Sequence, residues 1–293
     1  MLAHSLMEAT QNQSGSDVLT AYQAYVARLR NSRYMDFPAH VHLETLALCN
    51  AHCSFCRSDR LERKGARMSS ELIEKIVGDL ESIPKDLSFQ LSPFKVNEPF
   101  LDPRLFDILH LINRRLPNAE ITLTTNASPL TDEKLERLTS VRNVCYLWTS
   151  LNECTPEAYE RVMKLPFART LARLASIHRA KVNCRLPFGV VLSRVGDGTA
   201  EDARFVRWCR RVFPLFEASV FKRGSWLGQV NQSADLVPDV GCMRWFDLSI
   251  TATGLVAHCC MDGTPQHAIG NVATTHALEI YNVRAPTAPY ASR

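Results

Sequence analysis

From residue 41 onward, short apolar runs rich in β-branched residues alternate with longer amphipathic segments. The strand-like runs are 41–48, 87–91, 119–124, 143–149, 184–192 and 216–221. Helix-like periodicity fills the gaps at 69–82, 103–116, 131–138, 156–163 continuing into 167–178, and 200–212, with Ser69 as an N-cap. Six strand–helix pairs in this order predict a parallel sheet with crossover helices, an α/β partial (β/α)6 barrel whose chemistry sits on loops at the carboxyl ends of its strands. Ahead of it, 18–29 reads as a helix presenting Leu19, Tyr22, Tyr25, Val26 and Leu29 on one face, so residues 1–40 form a helical extension packed on the core at 41–223. The alternation stops after Phe221. Residues 224–240, with Gly228, Asn231, Ser233 and Pro238, read as a linker, and 241–293 as a small hairpin-and-helix unit.

With 293 residues and 46% hydrophobic content, the chain has enough apolar material for one large domain and a small appendage. A formal charge of +4, from 34 basic and 30 acidic residues, is too balanced for a nucleic-acid binder. The densest basic group, Arg63, Lys64 and Arg67, reads as a solvated face. No apolar run reaches the ~20 residues that span a bilayer. His4, Glu8 and Gln11 interrupt the first apolar stretch, so neither a secretory signal nor a membrane anchor is expected and a cytoplasmic location follows. Ten cysteines in such a chain point to metal or redox use for some of them. Cys145, Cys154, Cys184 and Cys209 stand singly among apolar or helical neighbours and read as core residues.

Three of the others form a motif. Cys49, Cys53 and Cys56 are separated by three and then two residues, directly after the first strand. A loop of this length wraps an iron–sulfur cubane and leaves its fourth iron without a protein ligand, free to chelate the amino and carboxylate groups of a bound cofactor. The same thiols with His52 would also close a tetrahedral zinc site. Position and spacing resemble the signature of the radical S-adenosylmethionine (radical SAM) superfamily. That resemblance extends in order over roughly residues 40–225.

The resemblance implies a 4Fe–4S cluster on Cys49, Cys53 and Cys56 that cleaves S-adenosylmethionine to a 5'-deoxyadenosyl radical. Phe55 matches the aromatic position that lies against the adenine. Asn97-Glu98-Pro99 stands where the family has Gly-Gly-Glu-Pro, which makes Glu98 the residue for the methionine amino group, while Val96 and Asn97 depart from the two glycines. Thr125-Asn126-Ala127 resembles a family Thr-Asn-Gly, and Ser150-Leu151-Asn152 a Ser-Ile-Asp, so Asn126, Ser150 and Asn152 are expected at the ribose or carboxylate. Arg185, taken as lying on the fifth strand, is a further candidate for that carboxylate. Taken singly, Glu98, Asn126 and Ser150 also read as ordinary turn residues.

A second signal lies near the C-terminus. Eleven residues separate Cys242 from Gly254, and four separate Gly254 from Cys259. Strand-like 248–251 and 255–258 with Gly254 at the turn predict a hairpin that brings the two cysteines together. The spacing resembles the opening of SPASM and twitch domains, the auxiliary-cluster modules of many radical SAM enzymes. The resemblance implies a second, auxiliary iron–sulfur cluster on Cys242 and Cys259, with a further ligand from Cys260, Asp262, His258, His267, the substrate or another chain. No cysteine follows Cys260, which excludes two auxiliary clusters. If Cys260 stays a free thiol, it is the residue that returns a hydrogen atom to a substrate radical, as in the family's epimerases. If not, the cluster accepts the leftover electron, as in its dehydrogenases. The expected function is oxidation or epimerisation of an aminosugar or aminocyclitol in secondary metabolism, with electrons from a flavodoxin or ferredoxin. A peptide maturase is the alternative, and a non-catalytic iron–sulfur or zinc protein the alternative of another class.

Overall fold

The structure, a computed structural model, describes residues 15–230 and 241–283. Of the expected linker, residues 231–240 lie outside the described residues, as does the start of the N-terminal extension, 1–14. Helix α1 (Gly15–Arg30) precedes β1 (His40–Leu43), and the chain then runs α2 (Ser70–Leu80), β2 (Phe89–Ser92), α3 (Leu105–Arg115), β3 (Ala119–Thr125), α4 (Asp132–Thr139) and β4 (Val144–Ser150). It continues through α5 (Pro156–Met163), α6 (Phe167–Val182), β5 (Gly189–Gly196), α7 (Ala200–Val212) and β6 (Glu217–Lys222). The last elements are β7 (Asp247–Ile250), β8 (Leu255–Ala257), β9 (Ala268–Asn271) and α8 (Ala277–Val283).

All nine strands form one sheet in the order β6-β5-β4-β3-β2-β1-β7-β8-β9. Strands β6 to β1 are parallel neighbours joined by helices, the expected partial barrel. Alternation decides what each face carries. In β3, Ala119, Ile121, Leu123 and Thr125 are buried while Glu120, Thr122 and Thr124 are half-buried. The apolar set packs on the helices in one continuous core, and the polar set faces the inside of the barrel. In α2, Ile73, Ile76, Val77 and Leu80 recur at helical spacing and are buried, each contributing about 1.5–3 kcal/mol. Caps start the helices where the sequence has hydroxyls: Ser69, Thr131 and Thr155 accept from Leu72, Lys134 and Ala158 amides, each contributing about 1 kcal/mol.

The C-terminal hairpin extends the barrel sheet. Strand β7 pairs parallel with β1, His40 beside Asp247 and His42 beside Ser249, and β8 and β9 follow antiparallel. The fifth strand starts later than its sequence suggests. Helix α6 runs on to Val182, Asn183 caps it, Cys184 adopts φ +55°, and pairing begins only at Gly189. Cys184 is therefore exposed rather than core. Cys209 is buried as expected, and Cys145 and Cys154 are half-buried.

Arg63 corrects another expectation, for its side chain is largely buried rather than solvated. Its guanidinium makes a two-pronged contact with Glu44, 2.6 and 2.9 Å, and donates to the Gly263 carbonyl at 2.6 Å. The Ala252 amide donates to the same carboxylate at 3.0 Å. Glu44 follows β1 and is fully buried, so this pair clamps the loop carrying Cys49 to the hairpin carrying Cys259. Arg63→Ala leaves the Glu44 charge uncompensated, and a loss of about 3–5 kcal/mol is expected, read as a lower urea midpoint.

Candidate active site

The Cys49–Cys56 loop leaves the carboxyl end of β1, and its three thiols are each half-buried. Local backbone shapes it: the Ala51 amide donates to Cys49 Sγ at 3.4 Å and the Cys56 amide to the Cys53 carbonyl at 3.0 Å. Cys53 Sγ lies 3.6 Å from Met163 Sδ. Burial pushes the Cys49 thiol up to about 12, so a metal at this sulfur must displace its proton. Three half-buried thiols on one short loop, one accepting an amide, are a donor set suited to iron–sulfur ligation.

Loops after β2 and β3 meet this one. Glu98 is buried, accepting from Thr125 Oγ1 and the Asn126 amide, both at 2.7 Å, and from the Phe100 amide at 3.2 Å. Burial raises its pKa to about 7, only partly offset by those donors. Its own amide donates to the Leu48 carbonyl at 2.8 Å, fixing it beside Cys49. Asn126 donates from Nδ2 to Asn50 Oδ1 at 2.9 Å and approaches Cys49 Sγ at 4.0 Å, and Asn50 reaches Ser128 Oγ at 2.8 Å. Asn126 thus braces the cysteine loop from β3. The Phe55 carbonyl accepts from Trp226 Nε1 at 2.9 Å, and Arg223 stands 5.9 Å from its ring centroid.

The remaining expected cofactor contacts divide. Ser150 ends β4 on the inner face, level with Ser193 and, through it, Ser219. Asn152 is buried at φ +65°, its carboxamide engaged by the Val195 amide at 2.8 Å and by Met163 Sδ at 3.1 Å. Arg185 is a correction: it is exposed in the turn after α6, four residues before β5, at the end of the strand away from the cysteine loop. The arginine that β5 does carry is Arg194, buried, joined to Glu153, Asp202 and Asp197 at 2.5, 2.7 and 3.1 Å and donating to the Asn152 carbonyl. It became legible only once the strand's true start set its phase.

Near the C-terminus, Cys242 and Cys260 both lie within electrostatic range of Cys259. Interaction between the adjacent Cys259 and Cys260 thiols lowers the pKa of Cys259 and, with burial, raises that of Cys260. The Met261 amide adds a contact to Cys259 Sγ at 3.4 Å. Cys242 lies near Cys259, and Arg244 faces all three cysteines. Tyr22 of α1 ties the Cys242 loop down, accepting from the Met243 amide at 2.9 Å and donating to the Gly241 carbonyl at 3.2 Å. Among the expected further ligands, Asp262 is spent on the Gln266 and His267 amides at 3.0 and 2.8 Å, and His258 and His267 are exposed.

Sequence reasoning missed the polar inner wall below these thiols. His42 interacts electrostatically with Cys260, and its Nε2 lies 3.3 Å from Asp247 Oδ2. Burial opposes charge on His42, yet its interactions with Asp247 and Cys260 raise its pKa. Burial and the His42 charge leave His40 well below the usual imidazole range. Asp247 stays ionised despite burial because His42 and Arg244 hold it down. Lys95, also buried, donates to Ser249 Oγ at 2.9 Å and the Cys260 carbonyl at 3.3 Å. The signal available was the His40-Val41-His42 alternation on a strand. Across the barrel, Trp148 and Phe221 stack at 5.2 Å and 27°.

Comparison with known proteins gives a consistent picture. Residues 43–206 match the sequence profile of the Radical SAM superfamily. No curated protein matches the chain by sequence. Among solved structures, BtrN in complex with AdoMet and 2-DOIA aligns at TM-score 0.55 and 15% identity, over 84% of this chain and 82% of that one. Streptococcus suis SuiB bound to precursor peptide SuiA aligns at 0.67 and 14%, over 93% and 71%. The anSMEcpe protein with bound AdoMet aligns at 0.64 and 14%, over 83% and 78%. At these identities the likeness is one of fold. Among the described residues, no helix is long and apolar enough to cross a membrane.

Proposed function

Because the chain belongs to the Radical SAM superfamily, whose cofactors are a 4Fe–4S cluster and S-adenosylmethionine, we propose that Cys49, Cys53 and Cys56 hold that cluster and that the enzyme oxidises or epimerises an aminosugar or aminocyclitol. When bound, the pair supplies a 5'-deoxyadenosyl radical that takes a hydrogen atom from a substrate C–H bond. The observation carrying this reading is the meeting of the Cys49–Cys56 loop with Glu98 and Asn126 at one end of the barrel.

The chain's own residues orient the reactants. Glu98 takes the methionine ammonium, Phe55 lies against the adenine, and Asn126 keeps the cysteine loop in register. Ser150 offers a hydroxyl toward the ribose or carboxylate. Cys242 and Cys259 hold an auxiliary iron–sulfur cluster, a role supported by their electrostatic proximity to each other and to Arg244. Cys260 keeps its proton and returns a hydrogen atom in the epimerase outcome. A flavodoxin or ferredoxin supplies electrons.

The aminocyclitol reading draws on the fold shared with BtrN, solved with 2-DOIA, and on an inner wall of serine and threonine hydroxyls with the Trp148–Phe221 stack, where a polyhydroxylated ring finds hydrogen bonds and an aromatic face. A peptide substrate is the second reading, since SuiB, solved with precursor peptide SuiA, aligns over 93% of this chain. The reduced, reconstituted enzyme is offered SAM with a panel of aminocyclitols, aminosugars and peptides. A new product from an amine-bearing ring with stoichiometric 5'-deoxyadenosine supports the first reading. Product from peptides alone supports the second, and absence of 5'-deoxyadenosine overturns both.

A further inference from the structure

We propose that His40, His42 and Asp247 bind a divalent transition-metal ion, of the zinc or ferrous class, on the seam where β7 joins β1. One donor atom from each lies within 4.8 Å of the others, a grouping not repeated among the described residues. The backbone builds it. Two residues apart on β1, the imidazoles share a face with ring centroids 3.9 Å apart, and the parallel register sets Asp247 beside His40.

The spacing of one pair suits a shared ion as well as a hydrogen bond. His42 Nε2 and Asp247 Oδ2 are 3.3 Å apart, whereas a charge-assisted N–H···O⁻ bond closes to about 2.7–2.9 Å. Two donors at ~2.0–2.1 Å from one tetrahedral ion stand ~3.3 Å apart. Ser92 Oγ holds one nitrogen of His40 at 2.9 Å, the kind of outer contact that orients a ligating ring. Two imidazoles and a carboxylate suit zinc or ferrous iron and leave a coordination position open. Arg244 Nη1, 3.5 Å from the same Asp247 oxygen, shares that carboxylate's charge and weakens the site without occupying a donor nitrogen. An ion here would tie the C-terminal hairpin to the barrel, beside the Cys260 thiol that His42 contacts. No cysteine is among the ligands, so the site's ligand set differs from those of both cluster assignments.

The test is a metal count on the full chain. Anaerobically reconstituted enzyme is equilibrated with zinc chloride, desalted, and assayed for zinc, iron and sulfide. The expected result is about one zinc per chain, falling at least roughly tenfold in His40→Gln/His42→Gln and in the near-isosteric Asp247→Asn, with iron and sulfide unchanged. Zinc must also persist when Cys242, Cys259 and Cys260 are replaced by alanine. No uptake by the unmodified enzyme, or uptake that survives the paired histidine substitution, overturns the site. Cobalt(II) provides a check on the unmodified protein should a variant fail to fold. Ligand-field bands without thiolate-to-cobalt charge transfer support the proposal, and strong charge transfer overturns it by putting the ion on cysteine. If the alanine variant lacking the three C-terminal cysteines keeps both its zinc and its full iron, the auxiliary-cluster reading fails while this one stands.

Discussion

Reconstituted without oxygen, the unmodified chain is expected to hold about eight irons and eight sulfides, and the variant with Cys49, Cys53 and Cys56 replaced by alanine about four of each. In that variant, reductive cleavage of SAM should fall by at least about a thousandfold, equivalent to roughly 4 kcal/mol of barrier. The expectation follows from position: the three thiols share one short loop, while Cys242 and Cys259, within electrostatic range of one another, flank strands β7 and β8. Alanine at Cys242 or Cys259 should have the opposite signature, with some uncoupled 5'-deoxyadenosine retained and product lost. About four irons in the unmodified chain, with none left in the triple variant, would remove the auxiliary cluster and leave Cys259 and Cys260 as free thiols to test as hydrogen donors.

Replacing Glu98 by glutamine should weaken SAM binding roughly ten- to hundredfold at pH 8, the ~1.5–3 kcal/mol of a hydrogen bond to a charged group. The unmodified site should also show a pH dependence that the variant lacks. Burial raises the Glu98 carboxyl to about 7, so near pH 6 most of the unliganded enzyme carries a neutral acid there. A ligand ammonium selects the carboxylate, so SAM affinity rises with pH through that value and levels off above it, by about tenfold between pH 6 and pH 8. Calorimetry in two buffers of different ionisation heat would detect the matching proton release near pH 6. Affinity independent of pH in the unmodified enzyme, or equal in Glu98→Gln, would remove Glu98 from the ammonium site.

Local pattern made much of this molecule legible. Alternation at 119–124 and helical spacing at 69–82 and 200–212 depend on neighbours a few residues away, and a hydroxyl cap such as Ser69 acts within one turn, so those elements appear close to where the sequence puts them. The cysteine loop was legible for the same reason, since Cys49, Cys53 and Cys56 lie within eight residues of one another. At the fifth strand local pattern failed. The turn at Cys184 and the loop after it take up residues 184–188 that look strand-like in isolation, because the position of β5 follows from pairing with β4, Tyr146 beside Gly189, and Arg185 fell outside the site with that shift.

What the sequence by itself determined was the barrel's order of elements, the cysteine loop and the hairpin at Gly254. Only tertiary structure decided what faces what. Arg63 meets Glu44 and Gly263 across 19 and 200 residues, and His42 meets Asp247 across 205. The cause is register: once β7 adds to β1 in parallel, the inward positions of two distant segments fall side by side, and burial in a low-dielectric interior obliges each charge to find a partner there. No local periodicity encodes that pairing, because its strength comes from strands that meet only when the sheet is assembled.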